Sequence, residues 1–190
     1  MARPTDVARR WVGVCLLAGL IGAFAVAGFV LGRGGSVYPA GPIAVVVRAA
    51  RRRLFALAAA CAALAAVVGV GDVVAEAARQ ARGAGGSLGT VVQLLAATRW
   101  GRLWLVEEAA LVALALLALG WRRSVAGTPG RLDDRLPAAG GAALILGVVT
   151  VEAMGSHAAA LDSGRGVAVA ADALHILTAC LWLGHCRRSP

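Results

Sequence analysis

The chain contains no lysine: all 19 basic residues among its 190 are arginine. Together with the abundance of alanine and glycine, this points to coding bias more than to chemistry. Charge is also scarce. Only 15% of residues are charged and 59% are hydrophobic, whereas a soluble domain is about a quarter charged. That excludes an ordinary soluble fold and leaves little material for a separate soluble domain. No C-x-x-C joins the four cysteines, Cys15, Cys61, Cys180 and Cys186. Three of them lie in apolar runs and read as small hydrophobes. No H-E-x-x-H, P-loop, G-x-G-x-x-G or catalytic triad is present, so no enzyme is expected. The net charge is +9, but the arginines stand between apolar runs and not in an aromatic-interleaved patch. They read as topology signals and not as nucleic-acid contacts.

What is there is a series of apolar runs of membrane-spanning length. The pattern predicts an all-α polytopic transmembrane helix bundle of about five spans, forming a single domain over residues 1–190. The helices are expected near residues 11–32, 54–78, 103–121, 136–155 and 167–186. Arg9-Arg10 before the first run, with Ala25-Val26-Ala27 within it, resembles a signal peptide. The run continues past that site, which favours a retained helix. Residues 33–53 read as a loop, broken by Gly34-Gly35 and Pro39-Ala40-Gly41-Pro42 and closed by Arg51-Arg52-Arg53. Val91–Ala97 is too short to span, so it lies at the interface or leads into the next helix. Trp104 and Trp121 are spaced by roughly 25 Å of helix, close to hydrocarbon thickness. Gly140-Gly141 and Gly147 suit close helix contact.

Five alternating spans place the end of the second helix, the start of the third, the end of the fourth and the start of the fifth on one side. Asp72, Glu76, Glu107, Glu108, Glu152, Met154, His157, Asp172 and His175 then gather toward one membrane face. Glu76 and Arg79 read as a local pair at a helix end. The opposite side holds Arg33, Arg48, Arg51, Arg52, Arg53, Arg122, Arg123, Arg131, Arg135, Arg187 and Arg188, the larger share of the arginines. The positive-inside rule makes that side cytoplasmic and puts the amino terminus outside.

The densest stretch is residues 151–184, where Glu152, Met154, His157, Asp172 and His175 sit in apolar surroundings. Ionisable groups in a bilayer are costly and default to a functional reading. Met154 is one turn below His157 at the end of the fourth helix. Thioether and imidazole together suit copper in either oxidation state. Asp172 and His175 share a helix face, so the carboxylate could orient the imidazole through its free N–H. The alternatives are a solvated loop histidine at His157 and a structural hydrogen-bonded pair at Asp172 and His175. His175 is roughly 13 Å along its helix from Gly166, well below His157 if the two helices start level, which reads as successive stations of a path.

Gly155-Ser156-His157-Ala158, followed by Asp172-Ala173-Leu174-His175 and then Trp182-Leu183-Gly184, resembles the core of the copper resistance protein D (CopD) family. Residues 98–186 carry the likeness, with Thr98-Arg99-Trp100-Gly101-Arg102 opening the preceding helix. The resemblance implies a multi-pass bacterial inner-membrane protein for copper transport or resistance, and this chain would be a short or truncated member. It implies copper ion as the bound species and a periplasmic copper-binding protein as partner. The metal residues would be His157, His175 and Met154, supported by Asp172, Glu152 and Trp182. Two departures stand out: acids at Glu107-Glu108 where the family often has a basic residue, and His185 where it usually has glycine. Two rival readings stay open: a transmembrane b-type haem electron-transfer module, and a non-catalytic membrane scaffold subunit. Haem ligation needs two histidines level across a helix pair.

Overall fold

In the computed structural model, residues 4–31, 41–81, 88–125, 135–156, 160–161 and 163–186 are described. They are almost entirely helical, and no strand occurs among them. Helix α1 spans Pro4–Ala25 and runs on into a π-helical turn, Val26–Val30. Helix α2 spans Pro42–Ala81, α3 Leu88–Ala97, α4 Arg99–Ser124, α5 Arg135–Gly155 and α6 Arg165–Cys186. Four of these, over Val7–Val30, Pro42–Arg79, Arg99–Ser124 and Arg165–Trp182, are long and apolar enough to cross a membrane. Ala139–Gly155 of α5 is a shorter apolar helix. The all-α membrane-helix bundle expected from the sequence is the fold found.

Helix α2 differs most from expectation. Residues Pro42–Arg53 are helix, not loop. Gly41, at φ 93°, makes the turn, and Pro42 opens the helix with its φ already helical. Nothing between Pro42 and Ala81 breaks the ladder. The 40 residues of α2 are about 60 Å long, twice the hydrocarbon thickness. Arg51, Arg52 and Arg53 are therefore successive residues of a continuous helix, fanned about 100° apart around it.

The break between α3 and α4 is small and well made. The Thr98 hydroxyl donates to the Leu94 carbonyl at 2.6 Å and accepts from the Gly101 N–H at 2.9 Å. One side chain thus ends α3 and caps α4, a cap contributing about 1 kcal/mol. Gly101 is buried against the α3 backbone. A β-carbon there would lie 2.5 Å from Leu95 Cα, so only glycine lets the two helices turn this tightly.

Helix α1 packs on α2 and α6, α4 packs on α2 and α5, and α5 packs on α6. The five long helices therefore close into a ring, with α3 against α2 and α4. Lipid tails are as apolar as leucine, so close packing, not water exclusion, holds such a ring together. Small residues permit it: Ala27, Ala58, Ala62, Ala118 and Ala153 are completely buried. Gly141 also lies in the core, beside the Phe24 ring, whereas nothing approaches Gly140 or Gly147. Cys61 and Cys180 are buried in the core with free thiols, in keeping with their reading as small hydrophobes.

Phe24 of α1, Phe55 of α2 and Trp121 of α4 form a triangle of rings at 5.0–6.1 Å. Each such pair contributes about 0.5–1.5 kcal/mol beyond its area. The triangle marks one level of the bundle, with Arg51 over the Phe55 ring at 6.0 Å. A second level is marked by the ion pair of Arg9 on α1 with Asp72 on α2, at 2.8 Å. Phe55 and Asp72 are seventeen residues apart, about 25 Å of helix, which matches the Trp104–Trp121 spacing on α4.

Candidate functional site

The polar level is built by three antiparallel helices. Asp72 comes from the last third of α2, Glu107 and Glu108 from the first third of α4, and Glu152 from the last turn of α5. Glu107 is hydrogen-bonded to Glu152 and interacts electrostatically with Glu108 and Asp72. Arg9 closes the cluster on the α1 side through Asp72. Four acids and one arginine thus face one another across the bundle at one end.

Glu108 and Trp104 both lean on Gly69 of α2. A β-carbon at Gly69 would overlap the Glu108 carboxylate and would lie 3.1 Å from Trp104 Nε1. That indole nitrogen is enclosed and donates to no acceptor. Gly69 therefore seats an acid and an unused donor side by side between α2 and α4.

Glu76 lies one turn beyond Asp72 on α2. It pairs with Arg79 one turn on, at 2.7 Å, the local helix-end pair its spacing predicts.

The residues expected to bind metal are spread more widely. Met154 is partly buried on α5, two residues beyond Glu152. His157 lies outside the described residues. Asp172 is partly buried on α6, and His175, one turn on, is exposed on the outer surface of the bundle. Neither side chain makes a hydrogen bond or ion pair among the described residues, so the expected Asp172–His175 hydrogen bond is not formed. The His175 carbonyl instead accepts from the Thr178 hydroxyl at 3.0 Å. Trp182 is 67% exposed on α6. Among the described residues, no three of His, Cys, Asp and Glu are arranged to hold a metal ion.

Asp72, Glu107 and Glu108 were absent from the expected site. Their shared membrane face was readable from the alternation of the helices. Which of them meet was not, because neighbours on a helix point about 100° apart and packing sets the rotation. No protein-family model matches the chain, and neither a curated protein nor a solved structure is significantly similar to it.

Proposed function

We propose that this is a bacterial plasma-membrane protein that takes copper as cargo at its acidic end, with the amino terminus and that end outside. The observation that carries the reading is the convergence of Asp72, Glu107, Glu108 and Glu152 from three helices, on the end that also bears Met154. A mouth in which carboxylates outnumber guanidinium groups, between low-dielectric walls, concentrates cations. Carboxylates alone do not choose copper over harder cations, but thioether and imidazole do. Met154 and the neighbouring His157 supply those groups, and the likeness of 155–158, 172–175 and 182–184 to the copper resistance protein D pattern supports the same cargo.

The test is metal analysis of the detergent-purified protein offered copper and zinc in competition. Copper should be retained in preference to zinc, with the preference lost in the Met154→Leu/His157→Ala double variant. Equal retention of both metals by the parent protein would sink the copper reading. A Soret band in the visible spectrum of the purified protein would replace it with haem.

A further inference from the structure

At the opposite end of the bundle lies an apolar cavity of about 240 Å³ between α1, α4, α5 and α6. Phe24, Trp121 and Ile145 form its wall. Phe29, Leu146 and Leu181 also line it, and each is 41–55% exposed on the outer surface of the bundle. The cavity therefore opens sideways, toward the hydrocarbon of the membrane.

Its α1 side is the last turn of α1, with Phe24, and the π-helical turn Val26–Val30 after it, which contributes Gly28 and Phe29. Such turns often mark functional positions, because the extra residue in the turn re-aims the side chains.

The size narrows the occupant. The cavity exceeds the roughly 150 Å³ of an apolar cavity that admits benzene. It falls short of the roughly 300–1,000 Å³ that drug-sized ligands occupy. A haem macrocycle does not fit, and an alkyl chain does. Charge narrows it further. Trp121 is followed at once by Arg122 and Arg123, both exposed. Its ring packs on Phe55, over which Arg51 lies, and Arg52 and Arg53 are exposed beside it. Exposed arginines thus follow the cavity's Trp121 wall directly along α4, at the end of the apolar span.

We propose that this cavity is a binding site for an anionic phospholipid, with one acyl chain between α1, α5 and α6 and the phosphate at the arginines beyond Trp121. The chain fills apolar space that packing leaves open. The headgroup brings negative charge to a concentration of arginines, as basic sites between membrane helices do for acidic lipids.

The experiment is native mass spectrometry of the full chain in micelles holding phosphatidylglycerol and phosphatidylcholine with identical acyl chains. One phosphatidylglycerol should be retained, with a preference of about tenfold or more, given what each basic residue near a headgroup contributes. Ala142→Phe, which places a ring in the cavity, should abolish retention of either lipid. R122Q/R123Q should keep a lipid bound and erase the preference. Equal retention of the two lipids by the parent protein overturns the proposal, as does retention of an isoprenoid in place of a phospholipid, or an unaltered lipid on Ala142→Phe. If Ala142→Phe does not fold, the parent protein decides alone. Glycerophosphoglycerol, the same headgroup without chains, should fail to displace the lipid, and full displacement by it would remove the cavity from the site.

Discussion

Gly69 and Gly101 both sit where a β-carbon would collide, yet their neighbours differ in kind. At Gly101 the atoms in the way are α3 backbone, which cannot move without undoing the Thr98 cap. At Gly69 the nearest atom is the far end of the Glu108 side chain, which can rotate aside. Gly101→Ala should therefore cost about 1–3 kcal/mol, the usual range for overpacking. Gly69→Ala should cost clearly less while displacing the Glu108 carboxylate from the acid cluster. Thermal unfolding of both variants in the same detergent checks the order. A Gly69→Ala loss equal to or greater than that of Gly101→Ala would mean that Glu108 is held rigidly. The acid pair offers a companion test. Glu107→Gln keeps a hydrogen-bonding group facing Glu152, because an amide N–H donates to a carboxyl oxygen, so it should unfold within about 0.5 kcal/mol of the parent, as ordinary tolerated substitutions do. Glu107→Leu removes both donor and acceptor and should be the less stable of the two.

Among the elements, α5 decides the topology. Its apolar part, Ala139–Gly155, is seventeen residues or about 25 Å long, at the short end for a span. If it crosses, the chain has five spans, and a reporter fused after Ser124 reads cytoplasmic while one inserted at Ser163 reads external. If it does not cross, both read cytoplasmic, and the acid end loses its outward assignment. We expect opposite sides, because Glu107 of α4 reaches Glu152 only when α5 runs back the full depth of the bundle. The same elements show how far the sequence could be read. Five apolar runs of the right length announced five helices, and alternation placed their polar ends together. The long α2 escaped notice because Pro39, Gly41 and the arginine triplet look like a loop. Proline at a first helical position and arginine on an exposed helical face are equally at home in a helix. His175 was read as an interior residue beside Asp172. Its exposure follows from the rotation of α6, which brings Cys180 to the core and carries residue 175, five positions earlier, to the outer side.

Charge is unevenly divided along the molecule: Asp72, Glu107, Glu108 and Glu152 gather at one end with Arg9 among them, and Arg51, Arg52, Arg53, Arg122 and Arg123 stand at the other, about 25 Å away along α2. Such a field favours a cation arriving at the acid end and an anionic lipid surface at the arginine end. Copper binding also has a sign in pH. A His157 imidazole must be neutral to ligate, so copper retention should rise as pH increases from about 5 to 7, across the range where histidine releases its proton. In His157→Ala the rise should flatten and the overall affinity should fall. In E107Q/E152Q retention should fall at every pH, while the parent protein and the variant stay equally abundant in membranes. Equilibrium dialysis of copper against the purified protein at several pH values reads all three. A parent protein whose copper retention is flat across that range, or falls with rising pH, would remove His157 from the ligands. An E107Q/E152Q variant that retains as much copper as the parent would reduce Glu107 and Glu152 to a packing contact between α4 and α5.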